Sequence, residues 1–308
     1  MDNIKAHNME KQKLDSISRR QFIGSIMLVS TTSTLSGLLL SACNTFSKTS
    51  PWLIGCYTRA WGSRNYLIAL DGMVEAGYKY VGLSTHDKGR VIDRDTAPDI
   101  AFQVGEEIKK RGLKLVALSG GTFDSNAPVS QGIEQLKRLI DNAERCGSPL
   151  IQLNDIADQS LEPDFYKVIS ECCDYGLEKK VLITVKPHGS TGAECREHVD
   201  RINHKNFKLW YDPGNVAYYT EGKVDPVQDA EALDGVVVGM AVKDFKPPKN
   251  VNITPGTGIV NFEKLIARLK KGGFSKGPLI VEQLAPGELP FVNAEARKVR
   301  EYLEGITS

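Results

Sequence analysis

The chain has 308 residues, of which 41% are hydrophobic and 25% are charged. These values are ordinary for a globular protein and exclude a disordered chain, a collagen and a protein that crosses a membrane many times. Lysine and arginine together number 39, and aspartate and glutamate 38, so no overall basic field points to nucleic-acid binding. The length suits two average domains or one α/β barrel of about 250 residues.

The N-terminus has the pattern of an export signal. Residues 18–23 read Ser-Arg-Arg-Gln-Phe-Ile, and an arginine pair before an apolar run is typical of twin-arginine export. The mildly apolar run Phe22–Ala42 ends in small residues before Cys43, with Leu40 three places upstream, as in the bacterial lipoprotein box. We therefore predict a signal peptide over 1–42, lipidation at Cys43 and a tether over 43–51. The alternative is a plain signal anchor.

Beyond the tether, short apolar runs alternate with amphipathic helical patterns, and several of these helices end at a glycine that leads into the next run. Continuous apolar runs are typical of parallel strands buried on both faces. Eight such units predict an α/β fold, a single (β/α)8 TIM barrel over 52–308. An open dinucleotide-binding sheet lacks its main support, because no Gly-x-Gly-x-x-Gly follows the first run. The predicted strands are Trp52–Cys56, Tyr80–Leu83, Leu113–Leu118, Leu150–Leu153, Val181–Val185, Phe207–Tyr211, Val236–Val242 and Pro278–Val281.

Polar and charged residues follow most of these strands. In a barrel of this kind the chemistry is located at the C-terminal strand ends, and buried polar groups there need a partner or a ligand. Of the five histidines, only His86 and His188 fall at such ends, and an ordinary structural histidine remains the alternative for each. The residues that follow strands two to eight are Ser84–Asp87, Ser119–Thr122, Asn154–Asp155, Lys186–Gly189, Asp212–Asn215, Lys243–Phe245 and Glu282–Gln283.

The second half of the barrel carries phrases that resemble the xylose-isomerase-like barrel superfamily, which includes sugar-phosphate isomerases and ketose 3-epimerases. The resemblance runs from Trp52 to the C-terminus. It implies carbohydrate chemistry on a small saccharide. The charge balance predicts no nucleic-acid partner, and the N-terminal pattern predicts membrane contact only through the lipid anchor. The phrases are Lys186-Pro187-His188-Gly189, Tyr211-Asp212-Pro213-Gly214-Asn215, Val242-Lys243-Asp244-Phe245, Gly256-Thr257-Gly258 with Asn261-Phe262, and Pro278-Leu279-Ile280-Val281-Glu282.

The resemblance also implies a divalent metal ion (Mn²⁺, Mg²⁺, Zn²⁺ or Co²⁺), held by Glu, Asp, His and Glu after strands five to eight. Asp212 and Glu282 match the second and fourth of these ligands. The first ligand falls on Lys186 and the third on Ala241, and neither can bind a metal in the family's way. Two of the four usual ligands are therefore replaced.

Three outcomes remain open at this departure. A metal could still bind through Asp212, Glu282 and His188, with water completing the set. Alternatively, the Lys186 ammonium could replace the metal and stabilise an enolate-like oxygen, while Glu282 or His188 moves the proton. In the third outcome the chemistry has been lost and the site only binds a sugar.

The leading prediction is an exported isomerase or epimerase, or a lyase, that transfers a proton next to a carbonyl by isomerisation, epimerisation or elimination. Its catalytic residues would be Glu282, Lys186 and His188. Its substrate-binding residues would be His86, Asn215 and Lys243. The alternative is a non-catalytic carbohydrate-binding lipoprotein of the periplasm or cell envelope.

Two loops bear on the ligand. Tyr218 and Tyr219 follow the Asp212 phrase and would either stack on a sugar face or pack against the next helix. The long segment after strand seven contains Gly256 and Gly258, which would let the backbone approach an anion. Because the chain is predicted to be exported, an uncharged saccharide is favoured over a sugar phosphate.

Overall fold

Eight short apolar segments pair side by side as parallel strands and close on themselves. The structure is a computed structural model that describes residues 50–308. Going round the barrel the order is β1, β8, β7, β6, β5, β4, β3, β2, and β1 pairs with both β8 and β2. The strands are β1 (Trp52–Tyr57), β2 (Tyr80–Leu83), β3 (Lys114–Leu118), β4 (Leu150–Asn154), β5 (Leu182–Lys186), β6 (Phe207–Tyr211), β7 (Val237–Val242) and β8 (Gly277–Val281).

Helices connect the strands, and their ends follow the local chemistry of the sequence. Thr191 and Glu194 form a reciprocal capping box at the start of the helix Gly192–Ile202, and Gly147 ends the helix Val129–Cys146 at a φ of 82°, a backbone angle that favours glycine. The helices are α1 (Tyr66–Glu75), α2 (Pro98–Lys110), α3 (Val129–Cys146), α4 (Glu162–Glu178), α5 (Gly192–Ile202), α6 (Pro213–Tyr219), α7 (Pro226–Asp229), α8 (Phe262–Lys271) and α9 (Leu289–Thr307). Short 3-10 turns at Thr58–Trp61 and Ala230–Leu233, and a two-stranded hairpin of Thr85–His86 with Gly89–Arg90, complete the connections.

The interior of the barrel is filled by side chains, so it is a packed core and not a channel. Tyr57, Trp210, Ala241 and Ile280 pack together inside the ring of strands, and each is fully buried. Gly239 makes room for this packing, since a β-carbon there would lie 2.2 Å from the Trp210 ring. A larger apolar cluster fills the layer between strands and helices. In barrels of this kind the functional site lies at the C-terminal strand ends, above this filled centre.

The predicted fold class, a single (β/α)8 barrel, is confirmed, and each predicted strand is a strand of the barrel. Strands β4 and β5 each extend one residue further than predicted, so Asn154 and Lys186 belong to the strands themselves. The predicted signal peptide, Cys43 and the tether as far as residue 49 lie outside the described residues. Within 50–308, none of the helices combines the length and the apolar character needed to cross a membrane.

Candidate functional site

Three strand ends bring one ammonium and two carboxylates together at the mouth of the barrel. Lys186 ends β5, Asp212 directly follows β6, and Glu282 directly follows β8. The Lys186 Nζ lies 2.8 Å from Glu282 Oε2 and 3.0 Å from Asp212 Oδ2. All three residues are at least 95% buried. Since isolated charges are very costly to bury, the three depend on one another to remain ionised.

Glu282 is the centre of this arrangement, because three cations contact its carboxylate. Besides Lys186, Arg59 NH1 lies 3.0 Å and Lys243 Nζ 3.3 Å from Oε1. Burial by itself would raise the pKa of Glu282, but Lys186, Lys243 and Arg59 hold that pKa well below its usual range. Glu282 is therefore ionised at every physiological pH.

Lys186 keeps its positive charge despite its burial. Burial would lower the pKa of its ammonium, but Glu282 and Asp212 outweigh that effect and raise the pKa above its ordinary value. A Schiff-base nucleophile needs a lysine whose pKa has been lowered. The site thus holds Lys186 as a fixed cation and not as a nucleophile.

Lys243 and Asn215 link the loops that follow β5, β6 and β7. The Lys243 Nζ donates to Asn215 Oδ1 at 2.7 Å, and Asn215 Nδ2 donates to the Pro187 carbonyl at 2.7 Å. The Asn215 backbone N–H donates to Asp212 Oδ1 at 2.9 Å, so Asp212 also caps α6. Two of the three residues named from sequence as substrate-binding, Asn215 and Lys243, therefore do lie at the site.

His188 stands beside the charged group and shares a hydrogen bond of 2.7 Å between its Nε2 and the Tyr219 hydroxyl. Burial, and then the neighbouring Lys186 and Lys243, lower the pKa of its imidazole below the usual 6.5. The side chain is half-buried and neutral at pH 7. A neutral imidazole can accept a proton, which the strongly paired Glu282 does poorly.

These residues surround one cavity of about 240 Å³. Lys186, His188 and Glu282 line it, whereas Asp212 lies beneath them without exposure. The complete lining is Arg59, Asn154, Lys186, His188, Asn215, Tyr218, Tyr219, Lys243, Val251 and Glu282.

Sequence reasoning missed Arg59 and misplaced His86. Arg59 lies two residues after β1, in the turn Thr58–Trp61, so a search of the residues just beyond the first strand would have found it. His86 does not line the cavity. Its Nδ1 lies 2.6 Å from Asp87 Oδ1, and its ring meets Tyr66 edge to face, so the hairpin turns it away from the other site residues.

The loop after β7 is not an open anion cradle, contrary to the sequence-based expectation. The Asp244 carboxylate accepts hydrogen bonds from the backbone N–H groups of Gly256, Gly258 and Val260, at 2.9, 2.8 and 3.1 Å. A Cβ at Gly258 would lie 2.3 Å from Asp244 Oδ1, so glycine is required for this approach. Asp244 thus occupies the amide groups that an external phosphate would need.

A family model described as the xylose isomerase-like TIM barrel matches residues 70–306. The chain belongs to this family. Among characterised relatives, the L-ribulose-5-phosphate 3-epimerase of Salmonella heidelberg is 26% identical over 82% of this chain and 93% of its own. A solved D-psicose 3-epimerase, crystallised in the presence of D-fructose, superposes with a TM-score of 0.67 at 11% identity, covering 82% of this chain and 99% of its own. These relatives are sugar epimerases.

Another member of the xylose isomerase-like family, from Mycobacterium smegmatis, was solved in complex with magnesium. It has a TM-score of 0.64 at 13% identity and covers 83% of this chain and 98% of its own. In our structure the residues do not fit such an ion. The Lys186 ammonium lies between Asp212 and Glu282, and His188 is hydrogen-bonded to Tyr219. Within residues 50–308, no three His, Cys, Asp or Glu side chains form a metal-ligating group.

Proposed function

We propose that this protein is an exported sugar isomerase or epimerase that moves a proton on a carbon next to a carbonyl, with the Lys186 ammonium in place of a metal ion. The observation that carries the proposal is the position of the Lys186 Nζ, within 3.0 Å of both Asp212 and Glu282 on the floor of the cavity. Membership of the xylose isomerase-like TIM barrel family, and the similarity to an L-ribulose-5-phosphate 3-epimerase, support the reaction class.

The cations would stabilise the negative charge that develops on the substrate. Removing a proton next to a carbonyl places charge on the carbonyl oxygen, and a cation already fixed in a water-poor site lowers the energy of that state. Lys186 and Lys243 both line the cavity and are both more than 90% buried. Asp212 and Glu282 hold them in place, so little reorganisation is needed during the reaction.

We assign the proton transfer to His188 rather than to Glu282. Three cations hold the Glu282 carboxylate ionised and make it a weak base, whereas His188 is neutral and lines the same cavity. In this role the Nε2–H of His188 donates to the Tyr219 oxygen, so that the unprotonated Nδ1 is the atom that accepts the substrate proton. Glu282 then serves mainly to hold Arg59, Lys186 and Lys243 in position.

The reaction class is tested by exchange with heavy water. Incubation with a panel of ketoses and aldoses in D₂O is expected to put deuterium on a carbon next to the carbonyl of at least one sugar, as read by NMR. Full retention of the carbon-bound hydrogens across the whole panel would rule out this proposal.

The charge state of His188 sets an expected pH profile. Because its pKa is lowered from 6.5, the imidazole stays neutral, and active as a base, to below that pH. The exchange rate is therefore expected to be at its plateau near pH 8 and to fall to half of it only at a pH below 6.5. The His188→Gln variant provides the control, since its residual rate should lack this acid limb. A wild-type rate that already halves near pH 7.5 would contradict the assignment.

A non-catalytic saccharide-binding protein is the second candidate, and the lowered pKa of Glu282 favours it, since the residue is a poor base. Measurements of binding and of deuterium exchange on the same samples distinguish the two functions. Binding of a sugar by calorimetry, without deuterium exchange into that sugar, would select the binding protein.

We also propose export by the twin-arginine route and lipidation at Cys43, on the sequence pattern of residues 18–43. A Cys43→Ser variant is expected to move from the membrane fraction to the soluble envelope fraction. An Arg19→Lys, Arg20→Lys double variant should remain unprocessed in the cytoplasm. The buried Cys195→Ser is the matched control for Cys43. Equal fractionation of all variants would reject the anchor.

A further inference from the structure

The cavity carries an excess of positive charge. Arg59, Lys186 and Lys243 form ion pairs with only two carboxylates, those of Asp212 and Glu282. His188 adds no compensating charge, and its lowered pKa reflects the field of the two lysines after the effect of burial. Each cation has a carboxylate within ion-pair distance, but within this cluster the cations outnumber the carboxylates by one. A site with this balance attracts an anionic ligand and disfavours a cationic one.

Arg59 is the residue best placed to meet that ligand. Among residues 50–308 its guanidinium has one acceptor, Glu282 Oε1, which NH1 contacts at 3.0 Å. The side chain is 36% exposed and lines the cavity, so the N–H groups that Glu282 does not occupy remain available to a ligand. A guanidinium presents two parallel donors to one planar carboxylate, a geometry that a lysine cannot provide.

The same surroundings argue for a carboxylate rather than a phosphate. Phosphate groups are commonly held by clustered backbone N–H groups, and the amides of the loop after β7 are bonded to Asp244. The cavity of about 240 Å³ is also smaller than the roughly 300–1,000 Å³ of most ligand pockets. It suits a single sugar unit better than a sugar with a phosphate arm.

We propose that the ligand is a sugar acid, a monosaccharide-sized molecule whose carboxylate binds the Arg59 guanidinium while its carbonyl oxygen faces Lys186 and Lys243. The inference rests on the proposed function for the role of the carbonyl, but not for the recognition of the carboxylate. It differs from the uncharged saccharide expected from the sequence, because that expectation did not include Arg59.

The test is calorimetry on the full chain with matched pairs: D-glucuronate against D-glucose, D-galacturonate against D-galactose, and D-glucose 6-phosphate as the phosphate probe. At least one uronate is expected to bind about tenfold or more tightly than its neutral partner. Added salt should weaken the binding of that uronate. Arg59→Gln should remove this preference, and Arg59→Lys, which keeps the charge but loses the paired donors, should keep only part of it. The control is Arg138→Gln, an exposed arginine paired with Asp95 outside the cavity lining.

Four results would overturn the inference: equal affinity for acid and neutral sugar, no binding of any probe, tighter binding of the phosphate, or a preference unchanged in both Arg59 variants. The exchange experiment separates its failure from that of the proposed function. Arg59-dependent binding of a uronate without deuterium exchange would remove the catalytic proposal and keep the ligand class. Deuterium exchange into neutral ketoses without binding of sugar acids would keep the catalytic proposal and remove the proposed ligand class.

Discussion

Replacing Lys186 with glutamine is expected to lower the deuterium-exchange rate by about 10²–10³, because the variant loses the fixed cation that meets the developing oxyanion. The change also leaves Asp212 and Glu282 without the ammonium that lies within 3.0 Å of both. Since removing one partner of a buried ion pair costs about 3–5 kcal/mol, the free energy of unfolding should fall as well. Rates are therefore measured at a temperature where circular dichroism shows the variant folded.

Lys264→Gln is the matched control for this variant. Lys264 is exposed on helix α8, lies away from the cavity lining and should retain the wild-type rate and stability. Lys186→Met, which has a similar length but no charge, should lose activity as glutamine does. A folded Lys186→Met with the full exchange rate would show that the ammonium has no catalytic role.

Replacing Lys186 with glutamate is expected to create affinity for a divalent ion. The variant would place three carboxylates, those of residues 186, 212 and 282, where one ammonium now lies between two. Near a protein surface, one pair of unit charges about 4 Å apart interacts by roughly 4 kcal/mol, so exchanging a cation for an anion should strengthen Mn²⁺ binding by about a hundredfold or more. Calorimetry with Mn²⁺ measures the gain over the wild-type protein.

Lys186→Gln serves as the control for the metal experiment, since it removes the cation without adding a ligand. We expect a much smaller gain in Mn²⁺ affinity there than in Lys186→Glu. If a folded Lys186→Glu binds Mn²⁺ no better than the wild type, the ammonium does not stand in for the ion and the proposed replacement is wrong.

The arrangement suggests how a barrel of this family can keep a positive centre without the usual ligands. A lysine on β5 reaches the same two carboxylates that the family resemblance assigns to a metal, and Arg59 and Lys243 add charge from β1 and β7. Ala241, at the position of the missing histidine, packs with Tyr57 and Trp210 inside the barrel. That position is therefore part of the apolar filling and not of the site.

The amino-acid sequence alone was sufficient to predict the barrel fold and the end of the barrel at which the site lies. Parallel strands buried on both faces must be continuously apolar, and their polar successors must gather at one rim, so the chain positions of Lys186, Asp212 and Glu282 already place them together. The same reasoning could not assign partners. Which side chain meets which depends on distances between residues far apart in the chain, such as the 223 positions that separate Arg59 from Glu282.

The tertiary structure alone decided the charge and the openness of the site. It turned His86 away with its hairpin, paired His188 with Tyr219, and closed the amides of the loop after β7 onto Asp244. The physical reason is that electrostatic energy depends on separation and burial, which chain position does not encode. The strand end fixes the backbone position of a charged residue, whereas the packing of the side chains determines which opposite charge it contacts.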